Sequence, residues 1–190
     1  MSLEEDISSF INSLDLYIVS HGGVGSNYLV DYLESKGLRV KNSPGNHTEL
    51  KLHQQCCHAP NKVNPEKPCI YIYGDIPNAV LSQYQRNLLV SNSNKMVLDK
   101  DEDINRLSEY LNTRPEDPLG IKSQIENFSN CPNTYQLQYP YTKEEVEKAL
   151  THFGFSIDLS EMVIRERGSR FTSLDDISDP LLKSVLTPYL

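Results

Sequence analysis

Two stretches of this chain hold residue types that could do chemistry. One is the glycine-rich run Ser20-His21-Gly22-Gly23-Val24-Gly25-Ser26-Asn27. Glycines let successive backbone amides converge on an anion, and a helix starting there adds the positive end of its dipole. The other is the polar run 47–69, with His47, His53, His58, Cys56, Cys57 and Cys69 among three prolines, Pro60, Pro65 and Pro68. Histidine suits proton transfer near neutrality. His53, Cys56, His58 and Cys69 are also metal-ligand types, but no C-x-x-C pair is present and the spacing fits no familiar finger. Ser82 and Arg86 add a polar pair, four apart and so on one face of a helix. Arg165, Arg167 and Arg170 make 164–173 basic and polar.

The glycine run departs from the Walker pattern of Gly, four residues and Gly-Lys-Ser/Thr. Ser20 stands at the first glycine position and Ser26 at the lysine position, which excludes an ATP or GTP loop of that kind. Two readings remain: an anion-binding turn, or a strand-to-helix turn that needs glycine for geometry alone. Ser26 and Asn27 fit the second equally well as helix caps.

The elements that must position these residues follow from apolar periodicity. Leu16-Tyr17-Ile18-Val19 before the glycines reads as a buried strand, and Tyr28, Leu29, Tyr32 and Leu33 after them as a helix over 26–36 with Gly37 as its C-cap. A short helix is expected over 3–13, and a short strand at Leu38-Arg39-Val40 before the turn-rich 41–46. Residues 47–69 read as an irregular loop. Cys69-Ile-Tyr-Ile-Tyr-Gly74 is the clearest further strand, followed by a turn at 75–78. An amphipathic helix over 79–90 should direct Val80, Leu81, Tyr84, Leu88 and Leu89 inward. A polar connector over 91–103, helices over 103–112 and 121–128, and a strand over 134–139 come next. Thr142-Lys143-Glu144-Glu145 is a capping-box pattern opening a helix to about His152. A last helix is expected over 180–190. Strands alternating with helices at wide spacing give an α/β fold with a mainly parallel sheet and helices on both faces. The glycine run, the 47–69 loop and the 74–82 turn all follow strands, so they should gather at one sheet edge, where such folds bind ligands.

At 190 residues the chain is expected to form one domain, 1–190. With 18 Lys plus Arg against 26 Asp plus Glu, the net charge of −8 argues against general nucleic-acid binding but not against one small anion in a locally positive pocket. No apolar run of membrane-spanning length and no signal peptide is found. Adjacent cysteines at irregular spacing suggest no disulfide framework, so a reducing, cytoplasmic setting is expected.

Several stretches, in order, resemble the PAPS-dependent sulfotransferases. Gly25-Ser26-Asn27-Tyr28-Leu29 resembles that family's phosphosulfate loop. His58-Ala59-Pro60 resembles its Lys-x-His-x-Pro segment. Cys69 to Ser82 resembles the strand, turn and helix that grip the 3′-phosphate. Asp117-Pro118-Leu119-Gly120, Leu137-Gln138-Tyr139 with Phe153-Gly154-Phe155, and Arg165-Glu166-Arg167-Gly168 follow, the last similar to the family's Arg-Lys-Gly segment. The resemblance implies a P-loop NTPase-like three-layer sandwich. It also implies transfer of a sulfuryl group from PAPS to a hydroxyl or amine of a small-molecule or glycan acceptor, with PAP as product. It would place amides of Gly22, Gly23, Val24, Gly25, Ser26 and Asn27 around the phosphosulfate. Ser82, Arg167 and Gly168 would meet the 3′-phosphate, with an ordinary helix serine and a solvated basic turn as the plainer readings. His58 is the first choice for the base, and His53, in Lys51-Leu52-His53, the alternative. Tyr135 and Tyr139 read as core. The chain departs from the family at two cation positions, where it has Gly23 and Gly74; Arg86 is the candidate replacement, with Lys51 and Lys62 behind it. The same departures fit a sulfotransferase fold that has lost transfer activity. A nucleotide-kinase relative is disfavoured by the lysine-free loop.

Overall fold

The computed structural model describes residues 13–40, 66–98, 106–164 and 170–190. Three strands, β1 (Tyr17–Ser20), β2 (Cys69–Gly74) and β3 (Thr134–Tyr139), form a parallel sheet in the order β1-β2-β3. Tyr17 pairs with Cys69 and Ser20 with Ile72; Cys69 pairs with Thr134 and Gly74 with Tyr139. β2 lies between the other two and is nearly all buried, which is why it reads as an unbroken apolar run. β3 alternates, with Leu137 buried between exposed Gln136 and Gln138.

Seven α-helices accompany the sheet among the described residues: α1 (Ser26–Ser35), α2 (Ile76–Gln85), α3 (Leu89–Leu98), α4 (Leu107–Thr113), α5 (Ile121–Ser129), α6 (Lys143–His152) and α7 (Pro180–Leu186). One sheet face, with Ile18, Ile70, Ile72 and Leu137, is covered by Leu29, Val30 and Leu33 of α1 and by Val146, Ala149 and Leu150 of α6. The opposite face, with Tyr17, Val19, Cys69 and Tyr71, is covered by Phe128 of α5. The Tyr71 and Phe128 rings stack there at 4.8 Å. A further cluster joins Val80, Leu89, Leu107, Ile121 and Val185 from α2, α3, α4, α5 and α7. Helices therefore lie on both faces, as the alternation of strands and helices predicts. Among the described residues no helix is long and apolar enough to cross a membrane.

Several boundaries differ from the sequence reading, each for a local reason. The helix after β2 starts at Ile76 rather than Ala79, because Asp75 caps it by accepting from the Asn78 amide and Pro77 is tolerated in a first turn. It stops at Gln85 rather than running to residue 90, and Asn87 adopts a positive φ of 55°. A second helix, α3, then occupies part of the expected polar connector. Its Asn92, Ser93 and Asn94 are buried, so polarity there marks a buried polar face and not a solvated link. On α2 the buried residues are Pro77, Ala79, Val80 and Gln83, whereas Tyr84 is 36% exposed; Leu88, in the link before α3, is 39% exposed, and Leu89, at the start of α3, is buried as expected. Leu38-Arg39-Val40 adds no strand; it is fastened to the start of β1 by the Asp15 amide donating to the Arg39 carbonyl and by the Asp15 carboxylate, which accepts from the Arg39 amide and guanidinium. The last helix ends at Leu186, and a 3₁₀ turn over Thr187–Tyr189 completes the segment. The expected helix 3–13 lies almost wholly outside the described residues.

Candidate functional site

The C-terminal ends of all three strands converge. β1 leads into the glycine loop, β2 into Asp75 and α2, and β3 into the cis Tyr139–Pro140 bond and Tyr141. Gly22, Gly23 and Gly25 have φ values of 85°, 70° and 71°, in the left-handed region that L side chains rarely enter. Space is equally restrictive. A Cβ on Gly23 would lie 2.5 Å from the Ala79 carbonyl oxygen, and one on Gly25 would lie 2.9 Å from the Tyr139 ring. A Cβ on Gly74 would lie 3.1 Å from the Tyr139 carbonyl oxygen. The loop is pressed between the first turn of α2 and the end of β3, so its glycines serve close packing as well as turning.

Behind the loop lies a buried polar block. Gly74 N–H donates to His21 Nε2 at 3.2 Å, which leaves Nδ1 to carry the proton facing the Gly22 carbonyl at 3.0 Å. Gln83 Nε2 donates to the His21 carbonyl at 3.1 Å, and Asn92 Nδ2 donates to Gln83 Oε1 at 2.9 Å. Gln124 Nε2 donates to the Ser20 carbonyl at 3.4 Å, and Gln124 Oε1 accepts from the Tyr71 hydroxyl at 3.0 Å. Ser20 Oγ donates to Ser26 Oγ and accepts from the Gly22 amide. Tyr141 donates to the Gly25 carbonyl at 3.2 Å. Burial pushes the phenols of Tyr71 and Tyr141 far above their ordinary range, so both stay protonated donors.

The outer side of the loop is open: Gly25 and Asn27 are exposed and Gly23 is half-buried, while Val24 is buried in the core. Gly25 is the N-cap of α1, no side chain caps this helix, and its first turn holds no acidic residue. The start of α5 shares a left-handed glycine N-cap, Gly120, and an acid-free first turn, and α4 has no side-chain cap, but side-chain oxygens do meet four of the helix starts. Asp75 caps α2, Thr142 and Glu145 complete the capping box of α6, Asp179 caps α7, and Asp117 accepts from the Lys122 and Ser123 amides at the start of α5.

Of the residues singled out from sequence, Gly22, Gly23, Val24, Gly25, Ser26 and Asn27 form this loop and helix start. Ser26 is buried against Ser20, whereas Asn27 faces solvent. Ser82 and Arg86 are joined to each other, Arg86 Nε donating to the Ser82 carbonyl at 2.9 Å and Nη2 to Ser82 Oγ at 3.1 Å. Ala79 and Gln83 of α2 pack against the loop. His53, His58, Lys51, Lys62, Arg167 and Gly168 lie outside the described residues. Tyr135 and Tyr139 pack on the core, and Tyr139 also walls the loop. His21, Gln83, Asn92 and Gln124 were not anticipated. Gln83 was findable, since it sits four residues after inward Ala79. Among the described residues no group of three acidic, histidine or cysteine side chains could hold a metal. The chain matches no family model, no curated protein and no solved structure.

Proposed function

We propose that the glycine loop and the first turn of α1 hold the phosphosulfate end of PAPS, and that the protein is a sulfotransferase-like enzyme built on a P-loop-type three-layer sandwich. The observation carrying this is the start of α1: a left-handed glycine N-cap, no side-chain cap and no acidic residue, at the C-terminal edge of a parallel sheet. Such a start favours an anion through its amides and the positive dipole end. Sulfuryl transfer needs in-line placement, charge stabilisation and a base for the acceptor's proton. In this reading His58 is that base, with His53 in reserve, and Arg167 and Gly168 meet the 3′-phosphate. A cytoplasmic setting goes with it. The test is a calorimetric titration with PAP together with a transfer assay. Micromolar PAP binding, with transfer abolished in His58→Ala at unchanged PAP affinity, supports the enzyme. Full activity in His58→Ala moves the base to His53. Absence of PAP binding removes the reading.

One observation favours a binding module without transfer. The guanidinium of Arg86 is already engaged by Ser82, and Gly74 supplies no cation at the strand end, where an added Cβ would crowd the Tyr139 carbonyl oxygen at 3.1 Å. PAP binding with no transfer to any hydroxyl or amine acceptor tried would select that reading.

A further inference from the structure

His21, the first residue past β1, is wholly buried, and both nitrogens of its ring face backbone groups. Nε2 accepts from the Gly74 amide at the end of β2, so the proton sits on Nδ1, 3.0 Å from the Gly22 carbonyl oxygen. One neutral tautomer thus ties the start of the glycine loop to the middle strand. The bridge also sets which way a loop amide turns. The Gly22–Gly23 peptide is trans, so its carbonyl and its N–H point in opposite directions. With the Gly22 carbonyl held inward on the imidazole, the Gly23 N–H is turned away from the buried block. An anion on the open side of the loop needs its donors turned that way.

Protonation breaks this arrangement. An imidazolium carries N–H on both nitrogens, and a proton on Nε2 would face the Gly74 N–H across 3.2 Å, donor against donor. Among the described residues no buried Asp, Glu, Lys or Arg is present to offset the new charge. What surrounds the loop and its histidine is uncharged. Gln83 of α2, Asn92 of α3 and Gln124 of α5 bring amides, and Ser20 and Ser26 bring hydroxyls. Tyr71 and Tyr141 bring phenols that stay protonated. The carboxylate beside Gly74 in the chain, Asp75, is exposed and accepts from both the amide and the side chain of Asn78. The helices α1 and α2 start just after the two residues that His21 bridges, and their positive ends disfavour a further cation.

We propose that His21 is a positioning residue for the anion held at the glycine loop: neutral, it keeps the Gly22–Gly23 peptide turned for binding, and protonated, it releases the loop, so that affinity is lost towards pH 5. This rests on the reading of the loop as the site of the phosphosulfate end of PAPS. Long-range ¹H–¹⁵N correlation spectra of the full chain report the imidazole directly, the His21 signals being assigned by their loss in His21→Gln. The Nδ1–H tautomer is expected at pH 8, and the Nε2–H tautomer overturns the proposal. PAP affinity is then measured by calorimetry from pH 8 to pH 5 in the wild type and in His21→Gln, whose amide oxygen can accept in place of Nε2 but does not titrate. Protonation of PAP itself and of the other histidines cancels in the ratio of the two affinities. That ratio, wild type to variant, should fall about tenfold over the range, the effect of one proton bound only by the released loop. A level ratio overturns this proposal alone, as does a rising one, in which imidazolium attracts the anion. No PAP binding by the wild type at any pH overturns the reading of the loop and the proposal with it. If the glutamine variant does not fold, the His21 signals are assigned through backbone connectivities, and sodium sulfate, whose charge is constant over this range, is titrated into the wild type and read on the Gly23 amide signal. The same tenfold fall is expected there, and a constant or rising sulfate affinity overturns the proposal.

Discussion

Replacing Asn27 by Asp should move stability and ligand affinity in opposite directions. Asn27 is the second residue of α1, exposed, in a first turn without acidic residues. The N-terminus of a helix behaves as about +0.5 of a charge, and a carboxylate in its first turn typically stabilises by about 0.3–1 kcal/mol. For a chain of this size that corresponds to a rise of about 1–4 °C in Tm. A bound phosphate group draws on the same positive end and would lie about 6 Å from the new carboxylate, so even at the dielectric constant of water two negative charges facing one cost about 1.4 kcal/mol. PAP affinity should therefore fall at least about tenfold while Tm rises. Calorimetry with PAP and a thermal melt of the ligand-free protein read the two quantities, and Asn27→Ala separates loss of the amide from gain of charge. PAP affinity unchanged in Asn27→Asp, against clear binding by the wild type, would refute the placement of the anion. A fall in Tm would show that the helix start is already satisfied from within.

Three further outcomes are expected. Gly23→Ala forces a left-handed alanine against the Ala79 carbonyl and should destabilise by about 2–5 kcal/mol, read by urea denaturation. Gln83→Leu leaves the His21 carbonyl and Asn92 Nδ2 without this partner and should cost about 2–4 kcal/mol; a neutral result would mean the polar block does not hold the loop. Hydrogen bonding from Arg39 holds the Asp15 carboxyl below its ordinary value, so its contribution is present above about pH 4 and lost as pH falls through the lower folded-state value. Asp15→Asn should accordingly be less stable than wild type at pH 6, and the gap should close towards pH 2.5 in denaturation curves collected across that range.

What the sequence disclosed depends on whether a residue's role is periodic or relational. β2 and the helix of the capping box were legible because burial on both faces and the Thr142–Glu145 exchange leave local patterns. The glycine loop was legible as a turn, but its packing role was not, because the contact of Gly23 with Ala79 joins residues far apart in the chain. α3 was misread because Asn92, Ser93 and Asn94 look solvated until Gln83 and the loop are brought against them. The same holds for His21, whose value as a bridge exists only once Gly74 arrives beside it.

The strand pairings have a kinetic consequence. Tyr17 meets Cys69, and Cys69 meets Thr134, so each pairing closes a loop of about fifty residues or more before any ladder bond forms. Among the described residues no hairpin offers a local start. During synthesis the apolar β1 must wait, without its partner strand, until β2 has left the ribosome, while α1 between them can coil at once. Slow, late assembly of the sheet around early helices is the folding order this topology imposes. That interval is when the nascent chain is most exposed to aggregation and most dependent on chaperones.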